Sequence, residues 1–252
     1  ELLSELTLLE PSEILLPSSI SEELEKKLSG RKLTFYEEWK FNKDYATSLL
    51  LDQFKLGSTE GLGDFTDGEL IATGAIISYL RELKKGPLVH LKRPSLIARG
   101  DYLFIDAATV RNLELVSNIM DGSKNGSLYN SMDYTTTPMG SRFLKEAILH
   151  PLANVRSIKE RLDAVEELVR NMRTMNYLRN ELGFLGDMER LVGKLGCSKA
   201  NPRDVYTLGC SLERLPSIRG LLKELSSPLI EKLKENIEDL ADIREAIKTT
   251  IK

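Results

Sequence analysis

The stretch from Asp133 to Leu152 reads DYTTTPMGSRFLKEAILHPL. Three threonines run into Pro138-Met139-Gly140-Ser141-Arg142, where an apolar helical pattern begins. Hydroxyls, a glycine and an arginine at a helix start can cradle a phosphate, because the first N–H groups of a helix are unpaired and its dipole favours an anion. The same residues can simply start a helix. Thr137 then caps it, Pro138 takes the first helical position, and Met139, Phe143, Leu144, Ala147 and Ile148 share one apolar face. Gly140 permits a close approach, and His150-Pro151 ends the helix. No loop or lysine collects beside this helix start, so the expectation is a packing element, with Asp133, Gly140 and Arg142 as its junction residues.

The other chemical candidates are weaker. A phosphate-binding Walker loop needs G-x-x-x-x-G-K-[ST]. Gly193-Lys194-Leu195 lacks the hydroxyl, and Gly186 stands at the wrong spacing, so residues 187–195 read as a helix ended by Gly196. Phe35-Tyr36-Glu37 has the parts to stack on a base. It lies in an alternating segment before Trp39 and Phe41, which reads as core and surface. The only two histidines, His90 and His150, are sixty residues apart with no metal-ligand or general-base spacing around them. Arg81, Lys84, Lys85, Lys92, Arg93 and Arg99 form a basic cluster that can meet phosphates but reads as a solvated face. Neither G-x-S-x-G nor H-E-x-x-H occurs. In the run Asp106-Ala-Ala-Thr-Val-Arg-Asn, Asp106 or Thr109 can cap a helix, and Arg111 and Asn112 can bond across a junction. No catalytic constellation, metal site or cofactor site emerges.

The elements around these residues divide into two textures. Up to about residue 100 the chain reads as mixed α/β. SELTLLEP is a short helix before Pro11, EILLP a short strand, and Ser21 caps EELEKKL with Gly30 beyond it. LTFYEEW is strand or irregular, and residues 44–56 are helical. Glycines 57, 61, 63 and 68 mark a loop. ELIATGAIISYLREL is a strong helix ended by Gly86-Pro87, and VHLKRPSLIA is strand-like. DYLFID (101–106) reads as a strand by its aromatic and branched residues. From Thr109 onward only helices are expected, with Thr137-Pro138, Asn201-Pro202 and Ser227-Pro228 as capped starts. Asn154 caps a helix with Val155, Ile158, Leu162, Val165 and Val169 on one stripe. Val205, Leu208, Leu212 and Leu215 mark another, stopped by Pro216. Ile230, Leu233, Ile237, Leu240, Ile243, Ile247 and Ile251 mark a last helix of more than five turns. Such stripes suit packed long helices.

The chain has 252 residues, 41% of them hydrophobic, which is enough for two domains with cores. With 35 basic and 38 acidic residues, the net charge of −3 neither shows nor excludes a DNA-binding face. Cys197 and Cys210, with twelve residues between them, make no disulfide framework, so a reducing cytosol is the default. No apolar run nears the ~20 residues of a membrane span. The sequence opens mid-pattern without an initiator methionine, as a piece of a longer protein would.

FIDAATVRNLEL (104–115), SLYNSMDYTTTPMGSRFLKEAILHPL (127–152), RLDAVEEL (161–168) and ERLVGKLGCSKANPRDVYTLGCSLERLP (189–216) resemble, in order and spacing, the core or lever domain of the MutS family of DNA mismatch repair proteins. Trp39 with FNKDYATSLLLDQF, then GLGDF, then ELIATGAIISYL resemble that family's connector domain. The resemblance implies a partial RNase H-like α/β connector at residues 1–100 and a helical lever domain at 101–252, the first part of a long-helix bundle. It implies a parent that is a homodimer on mismatched DNA, uses ATP and magnesium, meets a MutL-type protein at the connector, and is cytoplasmic and nucleoid-associated. The ATPase, clamp and mismatch-binding segments are not matched, so this segment is expected to carry no enzyme activity and no cofactor of its own. Tyr134 departs from the family, which usually has a basic residue there. Phe35-Tyr36-Glu37 matches the family's wedge triplet but lies in connector-like sequence, so that role is not transferred. Asp106, Thr109, Arg111, Asn112, Asp133, Gly140 and Arg142 are the expected junction and packing residues. Two other readings remain: a family homologue acting in recombination, and an RNase H-like nuclease joined to a helical module, for which Asp101 and Asp106 are the strand-associated carboxylates.

Overall fold

A computed structural model describes residues 2–9, 11–84, 88–89, 91–96 and 100–250. The chain forms two compact units, Glu1–Ala98 and Arg99–Lys252.

The first unit is α/β. Helix α1 (Leu2–Leu9) is followed by strand β1 (Ile14–Pro17), helix α2 (Glu22–Lys27) and strand β2 (Leu33–Tyr36). The strands pair in parallel, Ile14 opposite Leu33 through Pro17 opposite Tyr36. Parallel neighbours need a crossover, and α2, capped by the Ser21 hydroxyl on the Leu24 N–H, lies within it. A 3-10 turn (Glu38–Phe41) leads into α3 (Lys43–Phe54), which Asn42 caps, and then comes α4 (Asp67–Lys84). The two long helices cross where Gly74 meets Ala46; a Cβ on Gly74 would lie 2.4 Å from the Ala46 Cβ. Leu50, Leu62, Leu70, Ile77 and Leu88 form the core there.

Three expectations for this unit need correction or limits. Gly68 is not loop but the second residue of α4. Leu88, Val89 and residues 91–96 form no strand, so the strand-like reading of VHLKRPSLIA fails over the described residues. A Pro94 without an N–H and two lysine and arginine neighbours leave little to pair there. The expected Gly86-Pro87 stop, Lys85, His90 and Arg99 lie outside the described residues.

The second unit contains only helices and one isolated bridge among its described residues. The segment 101–106 is not the expected strand. Tyr102 bridges antiparallel to Leu152, and the Leu103 and Ala153 amides donate to Pro151 and Asp101 carbonyls at 2.7 and 2.8 Å. The partner is too short for more, because Asn154 already starts the next helix. The helices are α5 (Ala107–Asn112), α6 (Leu128–Met132), α7 (Pro138–Leu149), α8 (Val155–Arg170), α9 (Met172–Gly183), α10 (Met188–Gly196), α11 (Pro202–Leu212), α12 (Leu215–Leu222), α13 (Pro228–Glu235) and α14 (Ala241–Thr250).

Two cores join seven of these helices. Ala164, Leu178, Ile218, Leu225 and Ile230 join α8, α9, α12 and α13. Leu191, Leu208 and Leu212, with Ile247 and Leu240, join α10, α11 and α14. Pro216 does not stop a helix; it sits in the first turn of α12, where a missing N–H costs nothing. The single last helix is in fact two. Asn236 ends α13, and Leu240 takes a left-handed φ of 51° before α14, which turns Ile247 onto Gly209. The stripe on α8 faces the other way from expectation: Ala164 and Leu168 pack inward, while Val155, Leu162, Val165 and Val169 are exposed.

Candidate functional site

The opening stretch forms an elbow between α6 and α7. The Asp133 carboxylate accepts from the Ser141 hydroxyl and the Thr135 hydroxyl, each at 2.6 Å, and from the Thr135 N–H at 3.2 Å. Ser141 is also bonded to the Tyr129 hydroxyl. These donors, Ser141 first, hold Asp133 at a pKa of about 2, so it is ionised. Thr137 caps α7 through the Gly140 N–H at 2.9 Å. A Cβ on Gly140 would lie 3.0 Å from the Thr137 Oγ1, so the close neighbour is the turn's own threonines. Arg179 of α9 donates to the Tyr134 carbonyl at 2.9 Å. The Thr137 hydroxyl, the Gly140 and Ser141 N–H groups and the Ser141 hydroxyl are thus used within the fold.

Arg142, one turn into α7, reaches out of the elbow. Its guanidinium forks onto both Asp187 oxygens at 2.7 and 2.8 Å and adds Glu189 at 2.6 Å. Asp187 also caps α10 through the Arg190 N–H. Arg142 therefore pulls the Asp187 carboxyl below its ordinary range, and the two carboxylates raise the arginine further. One fork ties α7 to the start of α10. A second tie is made by Glu167 of α8. It accepts from the Ser226 N–H at 2.7 Å, the Ser226 hydroxyl at 3.0 Å and the Ser227 N–H at 2.8 Å. Those bonds, the Ser226 amide first, hold it at about 2. Ser227 stands at the N-cap of α13 without a side-chain capping bond, and Glu167 instead binds the backbone just ahead of the helix.

Asp106 caps α5 through the Thr109 N–H at 2.8 Å, and this bond lowers its pKa. Arg111 and Asn112 lie exposed on α5. The structure thus gathers Asp133, Gly140 and Arg142 at one junction and places Asp106 and Thr109 together at another. Sequence reasoning missed Asp187, Glu189 and Glu167. Asp187 carried the signal of a cap before a helix, but a partner 45 residues away leaves no periodicity.

The remaining lures resolve locally. Lys194 lies within α10 and donates to Asp204 at 2.8 Å, so no loop offers it to a phosphate. Tyr36 is buried and Phe35 half-exposed, as alternation requires. Among the described residues, no group of three or more His, Cys, Asp or Glu is placed to hold a metal ion. Among the described residues, no helix is long and apolar enough to cross a membrane.

An α/β unit is followed by a unit of helices, some of them tied to one another through charged groups at their ends. The MutS domain II model matches residues 1–92 and the MutS domain III model residues 108–252. The chain belongs to the MutS family. It is 36% identical over 247 residues to the DNA mismatch repair protein MutS of Chlorobaculum parvum, covering 96% of this chain and 28% of that protein. It is 37% identical over 248 residues to the protein of the same name from Chlorobaculum tepidum, with 96% and 28% covered. The protein of that name from Salinibacter ruber is 34% identical over 244 residues. The chain spans less than a third of the length of these curated relatives.

Proposed function

We propose that this segment is the connector and the first part of the lever of a mismatch-repair MutS, and that it relays conformational state between the DNA-holding and nucleotide-binding parts of its parent. The observation that carries the reading is the Arg142 fork onto Asp187 and Glu189, which makes α7 and the start of α10 move as one body. Packed helices with such ties shift as units rather than deform smoothly. In this reading the parent is a cytoplasmic homodimer that holds mismatched DNA, ATP and magnesium through other domains. A MutL-type protein docks on the first unit. The segment itself performs no catalytic step; it sets how far one end moves when the other does.

The test is Arg142→Ala in a full-length protein carrying this segment. Mismatched-DNA binding without ATP is retained, while ATP-induced release from the mismatch slows about tenfold, the loss expected for roughly 1.4 kcal/mol of coupling. Unchanged release with a confirmed loss of the ion pair contradicts the relay.

A further inference from the structure

Between α5 and α6 the chain makes a loop held at its base. There the Leu128 and Tyr129 amides donate to the Glu114 and Leu115 carbonyls at 3.1 and 2.9 Å. Inside the loop Asn118 is the hub. Its Oδ1 accepts from the Asp121 N–H at 2.9 Å, and its Nδ2 donates to the Asn125 carbonyl at 2.8 Å and the Ser123 Oγ at 3.1 Å. A turn over residues 124–127 is closed by the Ser127 N–H on the Lys124 carbonyl at 3.1 Å. Gly126 takes a left-handed φ of 83° within it, which costs glycine nothing.

Two groups of that turn stay outside the network. The Asn125 carboxamide and the Gly126 N–H have no hydrogen-bond partner among the described residues, and both residues are exposed. Asn125-Gly126 is also the one Asn-Gly pair of the sequence. With no Cβ on Gly126, neither the approach of its nitrogen to the neighbouring carboxamide carbon nor the backbone rotation that brings them together is hindered. The Asp121-Gly122 pair beside it shows the contrast. The Gly122 N–H donates to the Asn118 carbonyl at 3.1 Å, and the Asp121 carboxylate accepts from the Ser123 N–H at 2.8 Å. Asn130 is exposed and precedes a small residue, but the Ser131 N–H is bound to the Ser127 carbonyl at 3.1 Å.

We propose that Asn125 is a site of spontaneous deamidation through a cyclic imide with Gly126. The Gly126 nitrogen gives its proton to water and bonds to the Asn125 Cγ. The Cγ–Nδ2 bond breaks, and ammonia leaves with a proton returned from water. One water then opens the five-membered imide. Opening at Cγ leaves aspartate. Opening at the main-chain carbonyl leaves isoaspartate, whose main chain runs through Cγ and is one carbon longer. In that product the Asn125 carbonyl that Asn118 binds becomes a free carboxylate, and the turn that presents Ser127 is lengthened. Ser127 is fully buried and caps α6 through the Asn130 N–H at 3.1 Å, so the modification adds a charge and loosens the start of α6. None of this rests on the relay reading above.

Peptide mapping by mass spectrometry tests it on the 252-residue chain, aged at mildly alkaline pH beside a free peptide of residues 118–130 as a clock. The peptide spanning Asn125 should gain one mass unit ahead of every other asparagine and split into two species. One of them should accept a methyl group from an isoaspartyl carboxyl methyltransferase. Asn125→Gln, which would need a six-membered ring, should remove both species, and Gly126→Ala should slow their appearance. The Asn130 amide should exchange its hydrogen faster in the aged chain than in the fresh one. A folded chain that stays unmodified at Asn125 while the free peptide converts overturns the proposal. So does conversion at Asn130 as fast as at Asn125. An Asn130 amide that exchanges alike in aged and fresh chains overturns the consequence drawn for α6.

Discussion

Arg142 and Asp187 stand 45 residues apart in sequence and meet through two parallel N–H···O bonds of 2.7 and 2.8 Å. The same aspartate caps α10. One carboxylate therefore both starts a helix and fastens it to another, so the angle between α7 and α10 is fixed where α10 begins.

Replacing Arg142 by alanine should lower the stability of the chain measurably, since the pair is two-pronged and Asp187 is mostly covered. Arg142→Lys should recover less than half of that, because an ammonium cannot fork. The urea midpoint with an unchanged m-value measures it. A midpoint equal to the parent's shows that the tether carries nothing.

Acid should loosen the helical unit in a defined window. Asp133 and Glu167 are held at about 2 against ordinary values of 3.8 and 4.5. Depressed carboxyl values contribute stability that is present above the unfolded values and is lost as pH falls through the folded ones. Stability should therefore be flat above pH ~5 and decline between about pH 4.5 and 2. Asp133→Asn and Glu167→Gln should each lower stability at pH 7 and flatten that decline. A pH profile of the midpoint with its slope unchanged in both variants would count against these networks.

Gly74→Ala should destabilise the first unit by about 1–2 kcal/mol despite alanine's better helix propensity, because the new methyl falls 2.4 Å from the Ala46 Cβ and 2.6 Å from its Cα. Gly193→Ala in α10 meets nothing within 4 Å and should stabilise by about 0.5–1 kcal/mol. Thermal melts of both variants compare the two signs directly.

Lys40 is buried in the first unit, bonded to Glu82 and to the Tyr36 hydroxyl at 3.0 Å. Burial opposes its charge, yet the Glu82 and Tyr36 bonds outweigh burial and keep it protonated. Lys40→Met should cost about 2–3 kcal/mol by leaving both partners without their cation. Pairing it with Glu82→Gln should cost less than the sum, which a double-mutant cycle reads.

Much of the local structure was legible because caps announce themselves. Ser21, Thr137, Asn154 and Asn201 start their helices with side chains that accept backbone N–H groups two or three residues on. Direction and interruption were not legible. The three-and-four spacing on α8 reads as a core stripe, yet Ala164 and Leu168 win the core because the neighbours α9 and α13 lie on their side. The same spacing runs unbroken from Ile230 to Ile251, and nothing in periodicity signals the left-handed Leu240 that splits it. The family was readable from ordered blocks of sequence. The ties that stiffen the elbow were not, since Arg142 finds Asp187 only after the chain has folded back.

The relay claim is tested most directly by amide hydrogen exchange on a full-length protein carrying this segment, with and without bound nucleotide. The account predicts that residues 137–172 and 187–196 change protection together when nucleotide binds, and that Arg142→Ala separates the two responses. Protection of residues 137–172 that is the same in every nucleotide state would contradict it.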